Sequence, residues 1–261
     1  GKAVLCASFS PCGSLLLTGG RHPDGHLWEV GPASASHAGL PAACLQGHAA
    51  TVHCCAWSGA SDYCATGSAD GTARLWRRAE ESESSGGTWE CDRVLAGGHK
   101  GAVFGVAFPP AEATVSLVTC GEDKLTVGWG ARGAALWTLR GHTAYVRGLS
   151  FSRCGSQVLT CGSDSVVRVW DAGVRATQGI FTAHASTVYA VACSPLAGDT
   201  RVLSGGRDGR ALVWDRSTLE VRAALVGHTS EVWAVAWAPC GARVATGSWD
   251  GTARVWRASS G

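Results

Sequence analysis

The 261-residue sequence predicts an all-β fold assembled from six copies of one small antiparallel unit, and three observations carry that prediction. Tryptophans close short apolar runs at Trp28, Trp76, Trp129, Trp170, Trp214 and Trp256, roughly 40 to 50 residues apart, which is the spacing of repeated sheet architectures. Within each unit the apolar residues alternate with period two, as in Val232, Ala234 and Ala236, the pattern of short half-buried strands. Tight-turn residues punctuate the runs at Pro239-Cys240-Gly241 and again at Asp250-Gly251.

The last unit, GHTSEVWAVAWAPCGARVATGSWDGTARVW from Gly227 to Trp256, shows the whole pattern. A Gly-His pair leads into a first strand, a turn and a second strand, Arg243 to Thr246, follow, and after the second turn a third strand closes on tryptophan. The same distance along the chain separates His48 from Trp76, His142 from Trp170 and His228 from Trp256, and a slightly longer one separates His99 from Trp129 and His184 from Trp214. With Gly-His at Gly47-His48, Gly98-His99, Gly141-His142 and Gly227-His228, and Trp-Asp at Trp170-Asp171 and Trp214-Asp215, the units resemble WD40 repeats over nearly the whole chain. The resemblance implies a WD40-type β-propeller in which four-stranded blades pack face to face around a channel, leaving only short edges.

Read in order, the units span about 2–46, 47–97, 98–140, 141–182, 183–226 and 227–261 of a single domain. The first begins at Lys2 without a Gly-His pair, and alignment on Thr18 and Trp28 puts His22 where the other units carry aspartate. A Pro/Ala/Ser stretch then leads to AACLQ, an outer fourth strand. After the second unit the acidic Gly/Ser-rich run Ala79 to Thr88 reads as a solvated loop, before WECDRVLAG resumes as an outer strand. The third unit carries Glu122-Asp123-Lys124 at its second turn, and the fourth has Ser165 after Asp164. The fifth substitutes Ala183 for the first glycine and Ser204 for threonine. The sixth ends in RASSG, too short and polar for an outer strand. No methionine occurs, so Gly1 is read as other than a native start; with no outer strand offered for the last unit at either end, either a three-stranded last blade closes a six-bladed ring or, the preferred reading, the chain is part of a larger, seven-bladed one.

A polar set repeats with the units: His48, Thr66, Asp70, Trp76; His99, Thr119, Asp123, Trp129; His142, Thr160, Asp164, Trp170; His184, Ser204, Asp208, Trp214; and His228, Thr246, Asp250, Trp256. The resemblance implies buried hydrogen-bonded tetrads, and the donor inventory permits them: indole N–H to hydroxyl, hydroxyl to imidazole, the other imidazole N–H to carboxylate. Histidine, hydroxyl and aspartate also compose a hydrolase triad, but five copies around a ring cannot form one active site, and a hydroxyl engaged by tryptophan is not an exposed nucleophile. The chain is therefore expected to be no enzyme and to hold no cofactor. Histidines on different blades likewise lack zinc spacing, so no metal is expected.

The formal net charge of +2 leaves no basic stripe for a phosphate backbone, which argues against nucleic acid. No apolar run approaches the ~20 residues of a membrane helix, and no leader precedes Lys2. Twelve cysteines without a CxxC pair, with Cys12, Cys154 and Cys240 at one turn position of three units, read as reduced thiols of a cytoplasmic or nuclear compartment. Recognition then falls to positions that vary between units. The residues on either side of the first-strand valine and the one before the turn aspartate contribute Phe104, Tyr145, Arg147, Tyr189, Arg207, Trp233 and Trp249. Aromatic and arginine side chains carry much of the energy of protein interfaces, so a scaffold or peptide-recognition module with protein partners is expected. The alternative is a regulatory or sensor propeller fused to a catalytic or nucleotide-binding domain. The cullin-4 adaptor subtype is disfavoured, because Trp170-Asp171-Ala172-Gly173 and Trp214-Asp215-Arg216-Ser217 lack its WDxR arginine.

Overall fold

The computed structural model describes residues 3–30, 41–79, 88–110 and 116–258. All regular structure among them is strand, in six antiparallel sheets, each formed by consecutive strands in chain order. The first blade is β1 (Val4–Phe9), β2 (Leu15–Gly20), β3 (His22–Glu29) and β4 (Ala43–Leu45); the second is β5 (Val52–Trp57), β6 (Tyr63–Ser68), β7 (Ala73–Arg78) and β8 (Trp89–Leu95). The third is β9 (Val103–Ala107), β10 (Leu117–Gly121), β11 (Thr126–Trp129) and β12 (Ala135–Leu139). The fourth is β13 (Val146–Phe151), β14 (Gln157–Gly162), β15 (Val167–Asp171) and β16 (Thr177–Phe181), and the fifth β17 (Val188–Cys193), β18 (Arg201–Gly206), β19 (Ala211–Asp215) and β20 (Glu220–Leu225). The sixth has three strands, β21 (Val232–Trp237), β22 (Arg243–Ser248) and β23 (Ala253–Arg257). The AACLQ and WECDRVLAG segments are thus outer strands β4 and β8, while most of the acidic 79–88 run lies outside the described residues.

The blades fall into two compact units, the first three blades, apart from 109–110, 124–126 and Leu139, in one and the last three in the other. Inside each unit the cores lie between successive blades. In the first, Leu17, Leu27 and Leu45 of blade one pack on Trp57, Cys64 and Trp76 of blade two. In the second, Leu159, Cys161, Val167 and Val169 of blade four pack on Val188, Val191, Leu212 and Trp214 of blade five, and Leu203, Ala211 and Val213 of blade five pack on Val232 and Val244 of blade six. Both faces of such a sheet are buried, which accounts for the small and β-branched residues that fill these strands.

The closest approaches occur where a second-strand glycine faces a first-strand valine of the next blade. A Cβ on Gly19, Gly67 or Gly205 would lie 2.5, 2.7 or 2.7 Å from a Cγ1 of Val52, Val103 or Val232. Only glycine leaves room for these valines, which are fully buried. Blade-to-blade hydrogen bonds add to the packing, with Trp57 Nε1 donating to Ser8 O at 2.9 Å and Trp237 Nε1 to Ala192 O at 3.0 Å.

No disulfide joins any of the twelve cysteines. Cys12 and Cys154 are exposed, and each sits between two serine hydroxyls that can donate to a thiolate. Ser10 and Ser14 bring the Cys12 thiol down to about 6, and Ser156 and Ser152 bring that of Cys154 to about 7. Cys240, at the same turn of blade six, has Ala238 and Ala242 in place of the serines. Alkylation of the folded chain at pH 7, followed by peptide mass mapping, is expected to modify Cys12 and Cys154 ahead of Cys240 and to leave buried Cys64 and Cys161 untouched.

Candidate functional site: a stacked aromatic ladder on repeated bulges

The polar sets of blades two to six form continuous hydrogen-bonded series. In blade two, Trp76 Nε1 donates to Thr66 Oγ1 at 2.9 Å, Thr66 Oγ1 lies 2.8 Å from His48 Nε2, and His48 Nδ1 lies 2.9 Å from Asp70 Oδ2. The series recurs through Trp129, Thr119, His99 and Asp123; Trp170, Thr160, His142 and Asp164; Trp214, Ser204, His184 and Asp208; and Trp256, Thr246, His228 and Asp250. Each aspartate also accepts the backbone N–H that follows its histidine, from Ala49, Lys100, Thr143, Ala185 and Thr229. The carboxylate therefore ties the loop before the first strand to the turn after the second, a link that side-chain order alone did not reveal. In blade one Trp28 Nε1 reaches Thr18 Oγ1 at 2.8 Å, while His22 contacts Asp24 beside it, so only the last step of the series is present.

The electrostatics of the buried series follow from desolvation. Burial lowers the His48 imidazole below its ordinary 6.5 in spite of the neighbouring Asp70, so neutral His48 donates its Nδ1–H to the carboxylate. For Asp70, burial acts upward, but hydrogen bonds from the Thr72 hydroxyl, the Ala49 and Thr72 N–H groups and His48 outweigh it and hold the carboxyl well below the usual range. Asp164 and Asp208 are lowered in the same way, burial being outweighed chiefly by His142 and His184 respectively. A folded-state value below the unfolded one stabilises above the unfolded pKa and is lost as pH falls through the folded value. Thermal stability is thus expected to decline on acidification from pH 7 as His48 is forced to charge, and again below about 4 as the aspartates protonate. Melting curves from pH 7 to 3 test this, and a flat profile contradicts it.

The varying positions sit on a second repeated feature. Every first strand carries a register shift at its start, between Val4 and Cys6, Val52 and Cys54, Val146 and Gly148, Val188 and Ala190, and Val232 and Ala234, with the matching shift in blade three between Cys120 and Gly121. The residue passed over is Leu5, His53, Phe104, Arg147, Tyr189 or Trp233. A bulge leaves that residue out of the ladder and re-aims its side chain, which explains why the position after the valine varies freely. The residue before each turn aspartate is tied to the same place: Ser163 N donates to Tyr145 O at 2.8 Å, Arg207 N to Thr187 O at 2.8 Å and Trp249 N to Glu231 O at 3.0 Å.

In the second unit these positions meet. The Tyr189 ring stacks on Trp233 with centroids 4.0 Å apart, and Trp233 stacks on Trp249 at 5.3 Å, both pairs within 13° of parallel. Trp233 is 40% exposed and Trp249 70%, so the ladder ends in an open indole face. Beside it Arg207 lies 3.7 Å from Glu231, whose carboxyl the Ser230 hydroxyl holds below the ordinary range. In blade four the Arg147 guanidinium lies over the Tyr145 ring at 5.3 Å and donates to Ser163 Oγ at 3.1 Å. Phe104 belongs to the first unit and packs edge-on against His53 at 5.2 Å. Of the seven residues expected to form one surface, Tyr189, Arg207, Trp233 and Trp249 are thus grouped by direct contact or through Glu231, and Tyr145 and Arg147 form a separate pair. Among the described residues no cluster of three or more histidine, cysteine or acidic side chains could hold a metal, and no helix is long and apolar enough to cross a membrane.

Repeated sheets with internal His–Asp series and bulge-borne side chains define a class of repeat scaffold. The comparison with known sequences then gives the family: the WD domain, G-beta repeat, matches residues 1–28, 39–77, 89–129, 133–171, 175–215 and 219–257, and the chain belongs to it, its sheets being the blades of a WD40-type β-propeller. It is similar to the nuclear distribution protein PAC1 of Arthroderma otae, 29% identical over 64% of this chain and 38% of that protein. It is also similar to the nuclear distribution protein nudF of Emericella nidulans, 28% identical over 70% of this chain and 33% of that protein. The human F-box-like/WD repeat-containing protein TBL1Y is 30% identical over 54% of this chain and 28% of that protein. The chain matches only about a third of the length of these curated relatives.

Proposed function

We propose that the chain is a non-catalytic recognition module that binds a protein or peptide partner at the turn end of blades four to six, through the Tyr189–Trp233–Trp249 ladder with Arg207 beside it and the Tyr145–Arg147 pair of blade four. The observation that carries this reading is Trp249, an indole left 70% exposed at a tight turn and held in a rigid stack, where its burial by a partner costs little side-chain entropy. Arg207, 61% exposed and only loosely paired with Glu231, supplies a fork for a partner carboxylate next to that apolar face. The histidine–aspartate series do not compete with this reading as chemistry, since each hydroxyl already accepts from an indole.

The test is selection of binding peptides from a displayed random library by the chain, followed by titration of the selected peptide against variants. Trp233→Ala combined with Trp249→Ala is expected to weaken binding by more than about tenfold, as hot-spot tryptophans do, while the melting temperature is kept. Equal affinity of the double variant and the parent chain overturns the assignment.

A further inference from the structure

Beside the glycines that receive a neighbouring valine, two first-strand side chains come together: the residue two after the valine of one blade and the residue three after the valine of the next. A Cβ on Gly19 would lie 2.9 Å from Cys6 Sγ of its own blade, one on Gly67 2.6 Å from Cys54 Sγ, and one on Gly205 2.8 Å from Val235 Cγ1 of the following blade. Inside the two units this arrangement matches Cys6 with Cys55, Cys54 with Val106, Gly148 with Val191 and Ala190 with Val235. Only between blades one and two are both partners thiols. The Cys6 and Cys55 thiols are in hydrogen-bonding contact, and that contact, reinforced by burial, holds Cys55 well above its ordinary value.

The other thiols nearby are placed differently. Cys54 and Cys55 are successive residues of β5 and leave opposite faces of the sheet, so Cys54 Sγ lies 3.9 Å from Val103 O of blade three and Cys55 Sγ 3.7 Å from Leu17 O of blade one. Cys6 and Cys55 are half-buried, whereas Cys54 and Cys64 are buried, so a small polar reagent meets the first pair sooner. Blade one is also the blade whose polar series stops at Trp28 and Thr18, without a histidine–aspartate link from entry loop to turn. A covalent bond at this interface falls on the one blade that lacks that clamp.

We propose that Cys6 and Cys55 form a modification site for hydroperoxides, which convert this dithiol to a disulfide joining the first strands of blades one and two; the site is separate from the recognition surface. In the first step the Cys6 sulfur takes an oxygen from the peroxide, the O–O bond breaks and one water leaves, giving a sulfenic acid. In the second the Cys55 sulfur attacks that sulfur, the S–O bond breaks, a second water leaves and the S–S bond forms. The peroxide gains two electrons and each sulfur gives up one. A disulfide is neutral and needs no hydrogen-bond partner, so it suits an interface that disfavours thiolates. The same surroundings make the reaction slower than oxidation of exposed Cys12 and Cys154.

The experiment treats the folded 261-residue chain with hydrogen peroxide, with Cys12→Ser and Cys154→Ser in place so that the reactive turn thiols do not cross-link copies. Digestion without reductant is expected to yield a peptide pair joined through Cys6 and Cys55, lighter by two hydrogens than its reduced parts. The melting temperature is expected to rise by about 5 °C or more and to return on addition of dithiothreitol. Cys6→Ala and Cys55→Val install the residues that blades five and six carry at these positions, Ala190 and Ala234, and Val191 and Val235. Each variant is therefore expected to keep the melting temperature of the reduced chain and to lose both the cross-link and the rise. Absence of the joined pair once exposed Cys240 is fully oxidised overturns the proposal, as does a bridge from Cys55 to Cys64 or from Cys6 to Cys54. A Cys6–Cys55 bridge that leaves the melting temperature level or lowers it places the reaction in the unfolded chain and overturns it as well.

Discussion

Trp214→Ala is expected to lower the free energy of unfolding by about 3–5 kcal/mol, the range for truncating a large buried aromatic. Trp214 is 2% exposed, lies 4.6 Å from Phe181 between ring centroids and sits in the core shared by blades four and five. Its loss opens a cavity between two sheets whose main chains are fixed by their ladders, so the gap cannot close by collapse. The indole also supplies the donor that occupies Ser204 at 2.7 Å, and truncation removes that bond. Trp249→Ala removes a side chain of the same size and is expected to cost well under about 1 kcal/mol, because water already reaches most of it. Urea unfolding of the two variants checks the contrast. Similar midpoints would mean that Trp214 is not the packing element described.

Thr160→Val is the second large effect. The substitution keeps the shape and removes one hydroxyl that serves two buried partners, Trp170 Nε1 and His142 Nε2, both at 2.8 Å. Each partner is left without its bond in a dry site, at roughly 1–3 kcal/mol apiece. Thr160→Ser keeps the hydroxyl and is expected to be far milder, since blade five uses Ser204 in the same role, 2.7 Å from both His184 and Trp214. Equal destabilisation by valine and serine would show that the methyl group, and not the hydroxyl, is what the site requires.

Most of the architecture is legible in the sequence because each strand is read several times over. One alternating run such as Val232 to Trp237 is ambiguous, but the same run between a Gly-His pair and an Asp-Gly turn, met again in other units, is not. The turn aspartates show how this works. Gly71, Gly209 and Gly251 follow them with φ near +80°, and Lys124 and Ser165 adopt the same left-handed conformation in blades three and four, so the turn outlasts the loss of its preferred residue. The departure of blade one is legible too, in His22, which stands where the other units carry the turn aspartate.

What stays hidden is whatever depends on two units touching. Nothing in the string TGG or ATGS says that a missing Cβ makes room for a valine some thirty residues further on. The stacking of Tyr189 on Trp233 joins residues of different blades, and Phe104, similar to them on paper, turns to His53 instead. The bulges are hidden for another reason: period-two alternation does not register an extra residue at a strand's first position, and only the pairing partner exposes it.

Those bulges separate two jobs that a regular strand would force on the same residues. A substitution at Tyr189 or Trp233 alters what the surface offers without asking the neighbouring hydrogen-bond ladder to shift, since the main chain there is already out of step with its partner. On the proposed function, such a scaffold changes its preference one blade at a time, each exchange nearly independent of the rest, much as a keyboard keeps its frame while single keys are recut.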